Sequence, residues 1–163
     1  MGRAEERIGE DGLRIVRAFR FLDLGEGGLR KFDPELSVAI SSNLPMLSKV
    51  SKERIWNELQ RVLSCSNSMR IVESMTEHRI FEEILPGISI NTNTEPSDDY
   101  IVNLALICRD EESDGAEMSD RIASLLRLSR KESSALSDLH ECRKIDLDPS
   151  VESVRRFSAT KSD

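Results

Sequence analysis

Aromatic residues are scarce in this 163-residue chain: 4% of the total, as one Trp, one Tyr and five Phe. Val, Ile, Thr and Tyr never collect into alternating runs, which argues against strands. Cysteine is equally thin. Cys65, Cys108 and Cys142 lie far apart, with no CxxC and no Cys/His pairing. An odd count without metal-ligand spacing excludes a disulfide scaffold and a zinc module, and points to free thiols in a reducing compartment. The two histidines, His78 and His140, are isolated from each other, have no plausible acid or Cys partner for a metal site, and are not read as ligands. No apolar run approaches the roughly 20 residues that span a bilayer. The opening "MGRAEERIGED" is too acidic and polar for a signal peptide, and Glu at position 6 breaks the myristoylation pattern. The expected location is the cytoplasm.

What the chain does contain is helix-forming. Hydrophobic residues make up 38% and charged residues 33%, with the helix formers Leu, Glu, Arg and Lys dominant beside Ser, which favours caps. The expected fold is all-α. The formal net charge is -7, so the surface as a whole repels nucleic acid. The distribution is uneven, however. Residues 1–61 carry 11 Lys+Arg and 10 Asp+Glu, whereas the remainder carries 12 and 20. A polyanion should therefore meet the N-terminal portion.

Periodicity places a first helix from Ala4 to about Asp23, stopped by the "GEGG" of Gly25 to Gly28. No strand precedes these glycines, so they read as a turn rather than a phosphate cradle. Asp33 as N-cap and Pro34 at the first helical position open a second helix, and Pro45 breaks the chain after it. Ser51 caps a third helix with Ile55, Trp56, Leu59, Val62 and Leu63 inward; Trp56 reads as core rather than as a base-stacking platform. A fourth helix runs from about Asn67 to Glu77, and a short apolar piece ends at Pro86-Gly87. "ISINTNTEPSDD" is polar and aperiodic, the clearest linker. Beyond it, "DYIVNLALICR", "GAEMSDRIASLLRL" and "SRKESSALSDLHECRKI" form a second helical group, the last opened by Ser129 and Glu132 at capping-box spacing. A short helix at Pro149 and a frayed tail follow. The expected division is 1–88, a linker at 89–97, a second helical subdomain at 98–157 and a tail at 158–163.

Asp11 and Glu10 stand three and four residues before Arg14, so on a helix each shares a face with it. Read plainly, they make a surface ion pair worth less than about 1 kcal/mol. Read chemically, an Asp acceptor beside an Arg donor fork matches the polar edge of a base.

The surrounding stretch "ERIGEDGLRIVRAFRF", residues 6–21, resembles the neck segment of the class II tRNA nucleotidyltransferase and bacterial poly(A) polymerase family, whose pattern is close to "RI-x-ED-x-LRI-(L/V)-RA-x-RF". The positions that match include Arg7, Ile8, Glu10, Asp11, Leu13, Arg14, Ile15, Arg17, Arg20 and Phe21. A second block, around Asp33, Pro34, Ala39, Ile40, Ser51, Glu53, Arg54, Ile55, Glu58, Leu59 and Leu63, is similar to the helices that follow in that family. The likeness covers residues 2–88 well and the rest loosely. It implies that Asp11 and Arg14 select an incoming CTP or ATP by the base's Watson–Crick edge, with Glu10 orienting Arg14. It also implies that Arg7, Arg17 and Arg20 face RNA or a catalytic head, and that Glu53 and Arg54 support the nucleotide-binding turn.

Two features depart from the pattern. Gly2-Arg3-Ala4 occupies the place of the family's "GDA" hinge, so Arg3 replaces its acid. The family's GG-x-(V/A)-RD loop and its DxD carboxylates, which hold Mg²⁺ in the head, have no counterpart here. Asp98-Asp99 and Asp146-Leu147-Asp148 come nearest, in a linker and beside a capping Pro149. The resemblance therefore implies a chain that binds no metal or cofactor itself. It would need a separately encoded head, with tRNA 3′ ends or other RNA as partner, no membrane, and a homodimer as a further possibility. A second expectation from another class stays open: a non-enzymatic helical module that binds RNA or a protein and selects no nucleotide.

Overall fold

The computed structural model describes residues 8–108 and 115–142. Arg7, the hinge position Arg3 and the helix expected at Pro149 lie outside them. Among the described residues the fold is all-α, with one isolated antiparallel bridge between Asp23 and Leu29.

Residues 8–10 are helical, but the chain leaves the helix at Asp11-Gly12 and α1 begins at Leu13 (Leu13–Arg20). The continuous first helix expected from periodicity is thus interrupted. Asp11 Oδ1 accepts the Leu13 N–H at 3.0 Å, a local hydrogen bond that competes with helix propagation. Gly12 is required for a different reason: a Cβ there would stand 2.5 Å from the Met46 carbonyl oxygen. After α1 a 3₁₀ turn at Gly25–Gly27 reverses the chain, with Gly25 and Gly28 at φ 60° and 82°, so "GEGG" is a turn.

Asp33 accepts the Glu35 N–H and starts α2 (Pro34–Ser42) with Pro34 in its first turn. A 3₁₀ helix, Leu44–Lys49, fills the expected break at Pro45. Ser51 caps α3 (Lys52–Leu63), and α4 (Ser68–Glu77) and the short α5 (Ile80–Ile84) follow. Extended chain then leads to α6 (Tyr100–Ile107), α7 (Gly115–Leu126) and α8 (Arg130–Cys142). The capping box forms: Ser129 N–H donates to Glu132 Oε2 at 2.8 Å, and Glu132 N–H to Ser129 Oγ at 3.3 Å.

Helix α3 is the hub, packed against α1, α4, α6 and α7. Its apolar stripe is buried as its spacing demands, with Leu59, Val62 and Leu63 fully inside and Trp56 at 4% exposure. One cluster of buried residues runs from Ile8 to Leu136. Glu132 pins α8 to this hub. Its Oε1 accepts from Trp56 Nε1 at 3.2 Å, Gln60 Nε2 at 2.6 Å and the Tyr100 hydroxyl at 3.3 Å. Burial raises the carboxyl's pKa, but hydrogen bonds from Ser129, Trp56 and Tyr100 outweigh it and hold the group below the usual carboxylate range.

Candidate functional site

The polar residues of α1 are organised by a side chain absent from the candidate site residues named from the sequence. Glu58 sits on the buried stripe of α3, three residues after Ile55 and four before Val62, and is only 3% exposed. Its Oε1 accepts from Arg17 Nε at 3.0 Å and from Arg61 Nη1 at 2.9 Å, and its Oε2 faces Arg20 Nε at 3.5 Å. A buried carboxylate is expensive unless charge surrounds it, and three guanidiniums supply that charge. Its place within the apolar stripe was the sequence signal that it lies inside.

Asp11, Arg14 and Glu10 divide between two contacts. Arg14 Nη1 pairs with Glu10 Oε2 at 3.1 Å on exposed surface. Asp11 Oδ2 instead accepts from Arg54 Nη2 at 2.9 Å, linking the turn before α1 to the first turn of α3. The Leu13 N–H holds the Asp11 carboxyl below its ordinary pKa, and the positive charges of Arg54 and Arg14 add to this against burial. Glu53 is exposed in the same first turn of α3, where an anion suits the helix dipole.

An open groove of about 940 Å³ runs between α1 and the segment leading into α2. Glu10, Arg14, Arg17 and Phe21 line one side, and Arg30, Lys31, Asp33 and Glu35 the other. Ile8, Ala18, Leu22, Phe32 and Leu36 supply its apolar lining. The groove brings Glu10, Arg14 and Arg17 together; Asp11 and Arg20 do not line it. Such a surface suits a flat apolar-faced ligand bearing charge at its edge: aliphatic and aromatic contact from below, guanidinium donors from the rim.

His78 lies below this region as a structural residue. Its Nε2 meets Ser37 Oγ at 2.9 Å and its Nδ1 meets the Ser74 carbonyl at 2.8 Å, and its ring stacks edge-on with Phe19 and Phe32. His140 is buried with Nδ1 2.7 Å from Ser119 Oγ. Among the described residues no group of three or more His, Cys, Asp or Glu could hold a metal ion, and no helix is long and apolar enough to cross a membrane.

The chain resembles known proteins over part of its length. Residues 31–91, which run from the groove wall through α3 to the chain after α5, match the family described as the probable RNA and SrmB-binding site of polymerase A. The chain is 35% identical over 94 residues to the human mitochondrial CCA tRNA nucleotidyltransferase 1, covering 57% of this chain and 20% of that protein. It is 37% identical over 87 residues to the CCA-adding enzyme of Lactobacillus johnsonii, covering 53% of this chain and 21% of the relative. The Bacillus subtilis CCA-adding enzyme is 36% identical over 88 residues, again covering 53% and 21%. The chain thus spans about a fifth of the length of these curated relatives. Over the stretch these matches cover, the chain is similar to CCA-adding enzymes and to the RNA-binding segment of polymerase A.

Proposed function

We propose that this chain supplies the nucleotide-selecting and RNA-binding portion of an RNA nucleotidyltransferase, acting with a catalytic head that holds Mg²⁺ and transfers CMP or AMP from CTP or ATP to RNA 3′ ends. Selection and RNA binding lie in residues 1–88, and the helices after residue 98 buttress them. The observation that carries the reading is the bracing of the template residues. Arg54 engages Asp11 at 2.9 Å while Glu10 engages Arg14 at 3.1 Å beside the groove, so both candidate base-reading groups are held before a nucleotide arrives. Pre-held donors and acceptors discriminate bases because a mismatched edge leaves them unpaired. Exposed Leu24 and Val38 are apolar surface available to the head or to a second copy of the chain. The free thiols of Cys65, Cys108 and Cys142 fit a reducing compartment such as the cytoplasm.

The test mixes this chain with a head domain, a tRNA lacking its 3′ terminus, CTP and ATP. Arg14→Ala is expected to lower incorporation and blur the choice between the two nucleotides. Unaltered incorporation and choice would remove the template assignment. A second reading, a helical module that binds RNA without selecting nucleotides, draws on one observation. Both oxygens of Asp11 already accept hydrogen bonds, from the Leu13 N–H and from Arg54. Under that reading Arg14→Ala changes RNA affinity and leaves the CTP-to-ATP ratio untouched.

A further inference from the structure

Phe21 follows the last residue of α1 and is 64% exposed, unusual for a large aromatic side chain. It lines the groove described above and also a second recess of about 530 Å³, whose walls include Arg20, Gln60, Arg61 and Tyr100. Phe21 is therefore shared by both hollows. The Arg20 guanidinium carbon lies 4.7 Å from the centre of its ring. Asp23 also borders the second recess, but its carboxylate is turned to structural work. It accepts from Gly25 N–H at 2.9 Å, Ser66 N–H at 3.1 Å and Asn67 Nδ2 at 2.7 Å.

The charge at this place runs against the charge of the whole molecule. One buried carboxylate, Glu58, is shared by Arg17, Arg20 and Arg61, and with the Asp23 carboxylate counted as well one positive charge remains in excess, on a chain of net charge -7. Crowded guanidiniums repel one another, and a phosphodiester placed among them relieves that repulsion. An exposed ring beside such cations is the arrangement on which single-stranded bases stack while their phosphates are neutralised.

We infer that the Phe21 ridge, flanked by Arg20 and Arg61, is a seat for single-stranded RNA: one base stacks on Phe21 and the neighbouring phosphate enters the Arg20–Arg61 recess. The strand then continues across the ridge into the groove. This rests on the RNA-binding reading above and adds to it Phe21 as the stacking ring and Arg61 as Arg20's partner on the phosphate. The cationic excess favours a polyanion over a protein segment as occupant.

The probes are fluorescently labelled hexacytidylate and hexaadenylate RNAs, titrated with the full chain and followed by anisotropy. Phe21→Ala removes a side chain that is largely in water, so the fold survives, and both RNAs are expected to bind about fivefold to a hundredfold more weakly. Arg61→Gln is expected to reduce the slope of log affinity against log salt by about 0.7. Arg79→Gln, exposed and outside both hollows, is the control and should change neither quantity. If the unaltered chain binds RNA and Phe21→Ala and Arg61→Gln bind it equally well, the seat is overturned, RNA binding stands, and the ridge is left as a protein contact. If Arg79→Gln weakens binding as much as Phe21→Ala, the seat is likewise overturned. If the unaltered chain binds neither RNA, this inference and the RNA-binding reading fall together.

Discussion

Arg17 Nε donates to Glu58 Oε1 across 3.0 Å, joining residues 41 positions apart and fastening α1 to α3. Apolar burial brings these helices together, but it does not fix how α1 is rotated about its axis. The shared carboxylate adds that constraint by tying Arg17, Arg20 and Arg61 to one point. Glu58→Gln keeps the shape and removes the charge. It is expected to lower unfolding free energy in urea by about 1–3 kcal/mol, the worth of charged hydrogen bonds lost from a buried acceptor. A loss below about 0.5 kcal/mol would mean that the pairs behave as surface ones.

Gly12 sets two preferences against each other. Its backbone, at φ -58° and ψ -23°, is one that alanine adopts readily, and helix propensity favours alanine by about 1 kcal/mol. The Cβ, however, would meet Met46 backbone atoms at 2.5 and 2.7 Å, and neither strand of main chain can swing aside as a side chain would. Overpacking of this kind costs about 1–3 kcal/mol. Gly12→Ala should therefore destabilise the protein, read as a lower melting temperature by circular dichroism. A higher one would show that the Met46 segment yields.

The acid limb of stability should be set by Asp11, Asp23 and Glu132, all held below the usual carboxylate range. For Asp23, burial pushes upward, and hydrogen bonds from Asn67, Gly25, Cys65 and Ser66 more than offset it. A depressed native pKa means that the unfolded chain binds the proton first. The stabilisation is thus complete above about pH 4 and drains away as the pH falls through the native values. Urea midpoints measured from about pH 7 to about pH 3 should fall on the acid side, and Asp23→Asn should flatten that fall. A midpoint that rose on acidification would contradict the assignment.

Arg54 separates a stability role from a selecting one. Its pair with Asp11 is partly exposed, so Arg54→Gln should cost under about 1 kcal/mol. If Asp11 reads the base, the same variant loosens its carboxylate and should shift the CTP-to-ATP incorporation ratio in the reconstituted assay. An unchanged ratio would count against a selecting role for Asp11.

The thiols offer a chemical check on packing. Burial pushes the Cys108 thiol up to about 12. Burial first, then the charge of Asp23, pushes Cys65 up to about 11. Thiolate is the reactive form, so at mildly alkaline pH both should react with a disulfide reagent far more slowly in the native protein than in urea. Comparable rates would mean that α6 and the α3–α4 turn open readily.

Much of the helix map was written in local chemistry. Asp33 with Pro34, Ser51, and Ser129 with Glu132 start helices through hydrogen bonds spanning a few residues, so each start is visible in a short window of sequence. The buried stripe of α3 follows from spacing in the same way. The break at Asp11-Gly12 escaped that reading because the apolar period runs on through it; only the Asp11 cap and the Met46 carbonyl against Gly12 explain the interruption. Side-chain pairing across the chain was less visible still. Four-residue spacing brought Glu10 to Arg14, but Asp11 turned to Arg54, 43 residues away.

By itself, then, the sequence determined an all-α chain, its main helix starts, its buried stripes and its family likeness, because each depends on neighbours within a turn or two. Tertiary structure decided which guanidinium meets which carboxylate and where the groove opens. Those outcomes depend on how α1 docks on α3, and a long flexible Arg has several carboxylates within reach until that docking chooses among them.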